Sequence, residues 1–228
     1  VQSGGQFIMN GIGLGQGAGA ASTVNVLAGG TFVRNIAGSS VVDAAINVAT
    51  GGIMDIIQGT LVFEGGGSLN GNLNLSSGGV ADFGTATTWN IGAGATVTGI
   101  GTLRLADAGL GVNVNTMLTL NNGIGLDHTD GSLNVAGGQT LTIDGTHNWL
   151  SGAISGAGQV NYTNGAALNL SSSSAKNLDG IGLNLTNATF LFAGGGSGLT
   201  FINDATIDIG AGGQMLLQGG GFINMDPA

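Results

Sequence analysis

The chain has 228 residues, of which 48 are Gly, one is Pro and none is Cys, and 12 acidic against three basic side chains give a formal net charge of −9. A single Pro excludes collagen, an apolar content of 42% is too high for a disordered glycine-rich linker, and a chain without Cys holds no disulfide or thiolate metal site. The mean hydropathy of +0.38 comes without an apolar run of the ~18 residues that a membrane helix needs, and so few basic side chains argue against nucleic acid and anionic membranes as partners.

One short phrase recurs along the chain: an apolar residue, usually Asn, a second apolar residue, a Gly-rich bend and a further alternating apolar stretch. The first copy reads VNVLAGGTFV and the last reads IDIGAGGQMLL. The mean step between copies is about 23 residues, in the range of repeat proteins that bury one elongated core by stacking. The nine copies begin at Val24, Ile46, Leu73, Trp89, Met117, Leu133, Val160, Leu183 and Ile207.

Within each copy the apolar residues alternate with period two, as at Leu73 and Leu75 around Asn74, and no stretch has the period of a helix. Two or three short strands joined by tight turns would form one coil. The sequence therefore predicts an all-β fold, a parallel β-helix (β-solenoid) of roughly ten coils and about 45–50 Å in length, with residues 1–228 as a single domain. Gly pairs supply the positive φ that sharp corners need, and they begin at Gly29, Gly51, Gly78 and Gly212.

The polar residue at the centre of each phrase points outward if its two apolar neighbours point inward. Equivalent positions would then stack about 4.8 Å apart, and each side-chain amide would donate to the carbonyl oxygen of the next. We predict one such structural ladder, formed by Asn25, Asn47, Asn74, Asn90, Asn134, Asn161, Asn184 and Asp208.

Two carboxylates carry an alternative interpretation. Asp55 and Asp82 each lie nine residues after the start of a phrase, on the outward register, so adjacent coils would bring them about one strand spacing apart. Such a pair suits a retaining glycosidase, which holds two carboxyl groups about 5–5.5 Å apart, or a weak cation site. Because Glu64 is the only Glu and no basic residue is near in sequence, we expect no catalytic residue. A polysaccharide-binding or polysaccharide-cleaving β-helix that uses Asp55 and Asp82 is the alternative.

A second acidic group, Asp127 and Asp130, lies in NGIGLDHTD, which loosely resembles the Gly-rich nonapeptide that binds Ca²⁺ in repeats-in-toxin proteins. One copy cannot enclose an ion between successive turns, so we expect a solvated loop, no metal site and no cofactor. Weak binding of Ca²⁺ by these residues, or by Asp55 and Asp82, is the alternative.

The histidines and tryptophans are the other candidates for a site. His128 and His147 are the only histidines, lack the spacing of metal ligands, and are predicted to lie in surface turns. Trp89 occupies an inward position of its phrase and is predicted to be in the core. Trp149 follows the turn DGTHN and is predicted to be partly exposed, which would suit stacking on a sugar.

The phrases LNVAGGQTLTIDG, LNLSSGGVADFG and WNIGAGATVTGIGTL resemble the strand repeats of bacterial autotransporter passengers and filamentous-haemagglutinin-type adhesins, and the resemblance spans nearly the whole chain. It implies a right-handed parallel β-helix exported to the cell surface or the medium, with a role in adhesion, matrix or fibre building. The β-barrel translocator and the secretion motif of that family are missing from the chain. Its start, VQSGGQF, indicates a removed leader or a segment of a longer protein.

The two end stretches, QFIMNGIGLGQGAG and GQMLLQGGGFINMDPA, stay apolar and strand-like, with Pro227 as the only obvious breaker. Uncapped coils expose unpaired backbone groups, and a head-to-tail contact between copies propagates as a filament. We therefore expect a non-enzymatic extracellular protein, an exported adhesin or fibre subunit. Its expected partners are further copies of itself and a polysaccharide or a cell surface, and neither nucleic acid binding nor membrane insertion is expected.

Overall fold

The computed structural model describes residues 1–11, 13–15, 22–85, 87–193 and 198–225. Within these ranges the fold is all-β, with parallel strands stacked as a β-solenoid of about nine turns and no helix. The predicted parallel β-helix is therefore confirmed, with about nine turns where roughly ten were expected. The right-handed coil stays a prediction of the resemblance.

Most strands have only three to five residues, and two are much longer. In chain order they are β1 (Gln6–Met9), β2 (Thr23–Val26), β3 (Thr31–Val42), β4 (Ala45–Val48), β5 (Ile53–Phe63), β6 (Gly67–Leu69), β7 (Asn72–Leu75), β8 (Gly79–Phe83), β9 (Thr88–Ile91), β10 (Thr96–Gly99), β11 (Thr102–Leu105), β12 (Gly111–Val114), β13 (Leu118–Leu120), β14 (Gly125–His128), β15 (Ser132–Val135), β16 (Thr140–Ile143), β17 (Thr146–Trp149), β18 (Gly152–Ser155), β19 (Gln159–Tyr162), β20 (Ala167–Leu170), β21 (Lys176–Asp179), β22 (Gly182–Leu185), β23 (Thr189–Phe192), β24 (Gly198–Ile202), β25 (Thr206–Ile209), β26 (Gln214–Leu217) and β27 (Phe222–Met225).

Each turn carries strands on three faces. Face 3 is a ten-stranded parallel sheet in the order β2-β4-β6-β9-β12-β15-β18-β21-β24-β27. Faces 1 and 2 belong to one 17-stranded sheet, because the long strands β3 and β5 cross the corner between them; β5 pairs with β7 through residues 53–56 and with β8 through residues 59–63. Face 1 begins at β1 and continues from β7 through β10, β13, β16, β19, β22 and β25. Face 2 continues from β8 through β11, β14, β17, β20, β23 and β26.

The register makes one turn of the coil the unit of the repeat. Paired residues on face 3 lie 21 to 24 positions apart in the sequence, close to the step of about 23 predicted from the phrases. Because successive side chains point to opposite sides of a strand, each strand buries every second residue, as β12 does with Val112 and Val114. Stacking these inward residues produces one continuous apolar core along the solenoid.

Two local predictions are confirmed by the structure. Trp89 lies in the core, where its ring packs at centroid distances of 5.0 Å from Phe63 and 4.8 Å from Phe83. The first residue of each predicted Gly pair has positive φ, between 70° and 79°, at Gly29, Gly51, Gly78 and Gly212.

The polar ladder predicted as a single column is divided between two faces. On face 3 the column includes Asn25, Asn47, Asn90 and Asn134, and the amide Nδ2 of Asn47 donates to Oδ1 of Asn25 at 3.2 Å. On face 1 the structure stacks Asn161, Asn184 and Asp208, and places Asn74 beside Asp55 and Thr98. The division arises because the repeated phrase occurs in strands of both faces, wherever a strand precedes a Gly bend. Similar sequences therefore do not show on which face a strand lies.

Candidate functional site

Asp55 lies on face 1, in the first half of β5, opposite Val33 of β3 and Asn74 of β7. Its Oδ1 accepts a hydrogen bond of 2.6 Å from Nδ2 of Asn74. The carboxylate thus takes part in the polar ladder that runs along the outside of the solenoid.

Asp82 lies on face 2, in β8, opposite Val62 and Arg104. Only 8% of the residue is exposed, and Nη1 of Arg104 is 3.3 Å from Oδ2, while Oδ1 has no hydrogen-bond partner in the part of the chain that the structure describes. Burial raises the pKa of this carboxyl group, and the neighbouring Arg104 guanidinium opposes the rise. Asp82 is therefore one partner of an ion pair with Arg104 rather than one of two free acids.

The structure does not bring Asp55 and Asp82 together as the predicted glycosidase pair. The residue of β5 that stands opposite Asp82 is Val62, because β5 bends across the corner and presents its first half to face 1 and its second half to face 2. Equal offsets in two phrases were therefore a poor guide to position, since the phrases begin on different faces.

The second acidic group also has protein partners. Asp127 stands between Arg104 and Asn148 on face 2, and its Oδ1 accepts a hydrogen bond of 2.9 Å from the Asn148 amide. Oδ1 of Asp130 accepts a bond of 2.9 Å from the backbone N–H of Gly131. Over the described ranges, no three His, Cys, Asp or Glu side chains are grouped as metal ligands would be.

The two histidines lie in the core, so their predicted placement in surface turns is wrong. Both rings are fully buried and nearly parallel, with centroids 6.0 Å apart. Nδ1 of His147 is 2.7 Å from the hydroxyl oxygen of Tyr162, and Nε2 of His128 is 3.2 Å from the carbonyl oxygen of Gly131. Nδ1 of His128 and Nε2 of His147 have no hydrogen-bond partner within the described ranges.

Trp149 completes this buried stack, and its predicted partial exposure is also wrong. Its ring is fully buried 5.9 Å from that of His128, and its Nε1–H donates to the carbonyl oxygen of Ser151 at 2.9 Å. Alternation contained the signal for all three rings: His128 shares the inward register of Leu126, and His147 shares that of Trp149. The prediction of surface turns followed the polar character of histidine instead of this alternation.

Burial lowers the pKa of His128 to about 4, although the Gly131 carbonyl and Asp130 favour the protonated form. Burial lowers the pKa of His147 further below its usual range, and the nearby His128 acts in the same direction. Both imidazoles are therefore neutral at pH 7 and are enclosed away from solvent, which makes them parts of the core and not exchangers of protons with a substrate.

The last coil carries the largest group of exposed apolar side chains. Ile209, Leu217, Ile223 and Met225 occupy inward positions of β25, β26 and β27, yet between 37% and 68% of each residue is exposed. One turn earlier the residue paired with Leu217 is Phe192, which is 2% exposed. The open end of the core forms a cavity of about 430 Å³, lined in part by Phe201, Ile207 and Met215.

Unpaired backbone edges accompany this apolar surface. Within the described residues, β25 pairs only with β22, β26 only with β23 and β27 only with β24. At the opposite end, β1 pairs only with β3, and β2 only with β4. The outermost strands of the described part of the solenoid thus present edges able to accept a further parallel strand.

Comparisons with known proteins give no match, whether with protein-family models, curated proteins or solved structures. The β-solenoid is compatible with the β-helix repeats of the exported adhesins that the sequence resembles. Membrane-spanning helices of sufficient length and apolar character do not occur in the described segments.

Proposed function

We propose that this protein is a non-enzymatic structural solenoid, an extracellular adhesin or fibre subunit of the autotransporter and filamentous-haemagglutinin type, whose copies stack end to end. The observation that carries the proposal is the last described coil, where inward side chains are open to solvent although most of their partners one turn earlier are buried.

Covering the exposed inward side chains of the last described coil would be energetically favourable. Complete burial of one such side chain stabilises by about 1.5–3 kcal/mol, and Ile209, Leu217, Ile223 and Met225 are on average about half exposed, so their coverage contributes roughly 3–6 kcal/mol. A further parallel coil would also pair the free edges of three strands.

A head-to-tail contact of this kind uses two different surfaces, the last coil of one copy and the first coil of the next. Such heterologous contacts propagate as a filament unless a rotation closes them into a ring. Parallel pairing across the junction would extend the core and the polar ladders into the neighbouring subunit. An adhesive or matrix role follows from the length of rod that stacking produces.

Paired charge substitutions test the proposal. The variant I209K/L217K places two lysines on the last described coil. The matched control I100K/M117K places two lysines on the side of the solenoid, where Ile100 and Met117 are 63% and 75% exposed. Light scattering and electron microscopy of the intact chain should show rods that lengthen with concentration for the parent and the control, and monomers for I209K/L217K. Monodisperse parent monomers at high concentration, or equal loss of assembly in both variants, would contradict the proposal.

A further inference from the structure

Arg34 is a buried cation whose hydrogen-bonding capacity is mostly unused. It lies at an inward position of β3, paired with Met9 of β1 and Ile56 of β5, and has no exposed surface. Nη2 donates to the carbonyl oxygen of Gly38 at 3.2 Å, whereas Nε and Nη1 have no hydrogen-bond partner among the described residues. A guanidinium has five N–H donors, so most of them are left unsatisfied in the core.

The other two basic side chains have the partners that Arg34 lacks. Arg104 forms its ion pair with Asp82, and Nζ of Lys176 is within 3.3 Å of three oxygen atoms in the loop formed by Ser172 and Ser174. Burial lowers the pKa of Arg34, but an arginine side chain stays protonated at physiological pH. A buried permanent charge calls for a counter-charge, because an uncompensated ion in a low-dielectric interior is strongly unfavourable.

The backbone around Arg34 leaves room for such a counter-ion. The pairing of β3 with β5 is irregular at this corner. Asn35 pairs with Gln58 and Ser39 with Thr60, so β3 has three residues between these pairs where β5 has one. The extra residues form a bulge at the corner between faces 1 and 2, beside a cavity of about 260 Å³. Gly11, Arg34 and residues 36–40 line this cavity, and none of them is acidic.

Other contacts define the walls of the cavity. The Ser40 hydroxyl donates to the carbonyl oxygen of Gly11 at 2.9 Å and so joins the corners of two successive turns. The exposed Ser39 offers a hydroxyl group at the rim, while Ile36 and Ala37 supply apolar surface. The site therefore combines one positive charge, a hydroxyl group and a small apolar wall.

We propose that this cavity binds a small monoanionic carboxylate through the guanidinium of Arg34. A planar carboxylate matches the fork of an arginine and neutralises its single charge, whereas a phosphate dianion would require a second cation. The volume lies just below the range of ordinary ligand pockets, so the cavity would enclose the carboxylate and the atoms next to it, and the rest of a larger ligand would lie outside. Nε and Nη1 are covered in the structure, so binding requires movement of the exposed bulge.

The presence of only two arginines makes the site easy to observe by NMR. The Nε–H groups of Arg34 and Arg104 give two side-chain resonances, which a spectrum of R104Q assigns. Sodium acetate, sodium glucuronate, sodium phosphate and sodium sulfate are titrated separately at constant ionic strength. We expect a saturable shift of the Arg34 resonance of at least threefold the shift of Arg104 with acetate or glucuronate, and no saturation with phosphate or sulfate.

The variant R34Q should lose the increase in melting temperature that the bound carboxylate produces, and R104Q should keep it. If R34Q does not fold, the resonance of Arg34 in the parent protein still decides the question. Equal linear shifts of both arginines, tighter binding of phosphate or sulfate than of carboxylates, or an unchanged thermal response in R34Q would overturn the proposal.

Discussion

The buried stack of His128, His147, Trp149 and Tyr162 predicts that mild acid destabilises the solenoid. In the unfolded chain a histidine titrates near pH 6.5, whereas His128 titrates at about 4 in the folded state. Between these values the unfolded chain binds a proton that the folded chain does not, so stability is fully present above pH 6.5 and falls as the pH is lowered toward 4.

The magnitude follows from the size of that gap. One pKa unit corresponds to 1.36 kcal/mol. The titration of His128 alone therefore lowers the free energy of unfolding by about 3 kcal/mol between pH 6.5 and 4. His147 also lowers the stability of the fold as the pH falls, because burial and the neighbouring His128 lower its pKa. Asp82 acts in the opposite sense, because its pKa is raised in the folded state and protonation of that state then favours folding at low pH.

The column neighbours of the two histidine rings are apolar or aromatic. His128 stacks between Leu105 and Trp149 in its column, and His147 between Leu126 and Leu168. Asp130 is the carboxylate that favours protonation of His128, and its effect is smaller than that of burial. Burial raises the pKa of Tyr162 above its usual range, so its hydroxyl group stays neutral throughout the acidic range.

Urea unfolding followed by tryptophan fluorescence between pH 7 and 4.5 measures this effect, because Trp149 is part of the stack. The variant H128L/H147L extends columns that already contain leucine, and its stability should fall much less steeply with pH than that of the parent. The control N113L changes an outward residue of face 3 without removing a titratable group, and should keep the parent slope. Equal slopes in the parent and in H128L/H147L would refute the reasoning.

Three further substitutions test the packing, the corners and the ladder. Replacement of the buried Trp149 by Ala should cost about 3–5 kcal/mol in urea unfolding, while Ala at the exposed Met117 should stay within about 0.5 kcal/mol. At Gly99, with φ of 111°, a Cβ would lie 1.9 Å from a backbone carbonyl oxygen of the preceding turn. Ala at Gly99 should therefore lower the melting temperature far more than Ala at Gly138, which has φ of 73° and open space around it. Similar melting temperatures for the two variants would count against the assigned pairing. Ala at Asn113 removes ladder bonds of 3.0 and 3.3 Å and should cost about 1 kcal/mol per bond, and unchanged unfolding would show that the ladder contributes no net stability.

Alternation and glycine chemistry made much of the fold predictable. The inward position of Trp89 and the positive φ of Gly51 both depend only on a few neighbouring residues, because strand geometry and steric limits on φ act locally. The same local rule, applied to His128 and His147, places both inward, but their predicted position in surface turns followed residue type and was wrong. The apolar character of the end stretch around Leu217 was likewise visible in the sequence.

The relation between distant residues was not predictable from the phrases. Leu73 and Leu133 begin nearly identical copies, yet the first belongs to face 1 and the second to face 3. Asp55 and Asp82 share an offset within their phrases and face different sides for the same reason. The bulge that covers Arg34 likewise depends on how β3 pairs with β5.

The amino-acid sequence by itself determined that this chain forms short parallel strands with an apolar inside and a polar outside, because side-chain alternation and the freedom of glycine act over a few residues. Only the tertiary structure decided which strands stack on which face, which polar side chains meet, and where, among the described residues, a cation lacks a partner or apolar side chains stay exposed. Those outcomes depend on corners whose lengths vary between turns, with steps of 21 to 24 residues on face 3 alone, and on hydrogen bonds between strands that far apart in the chain.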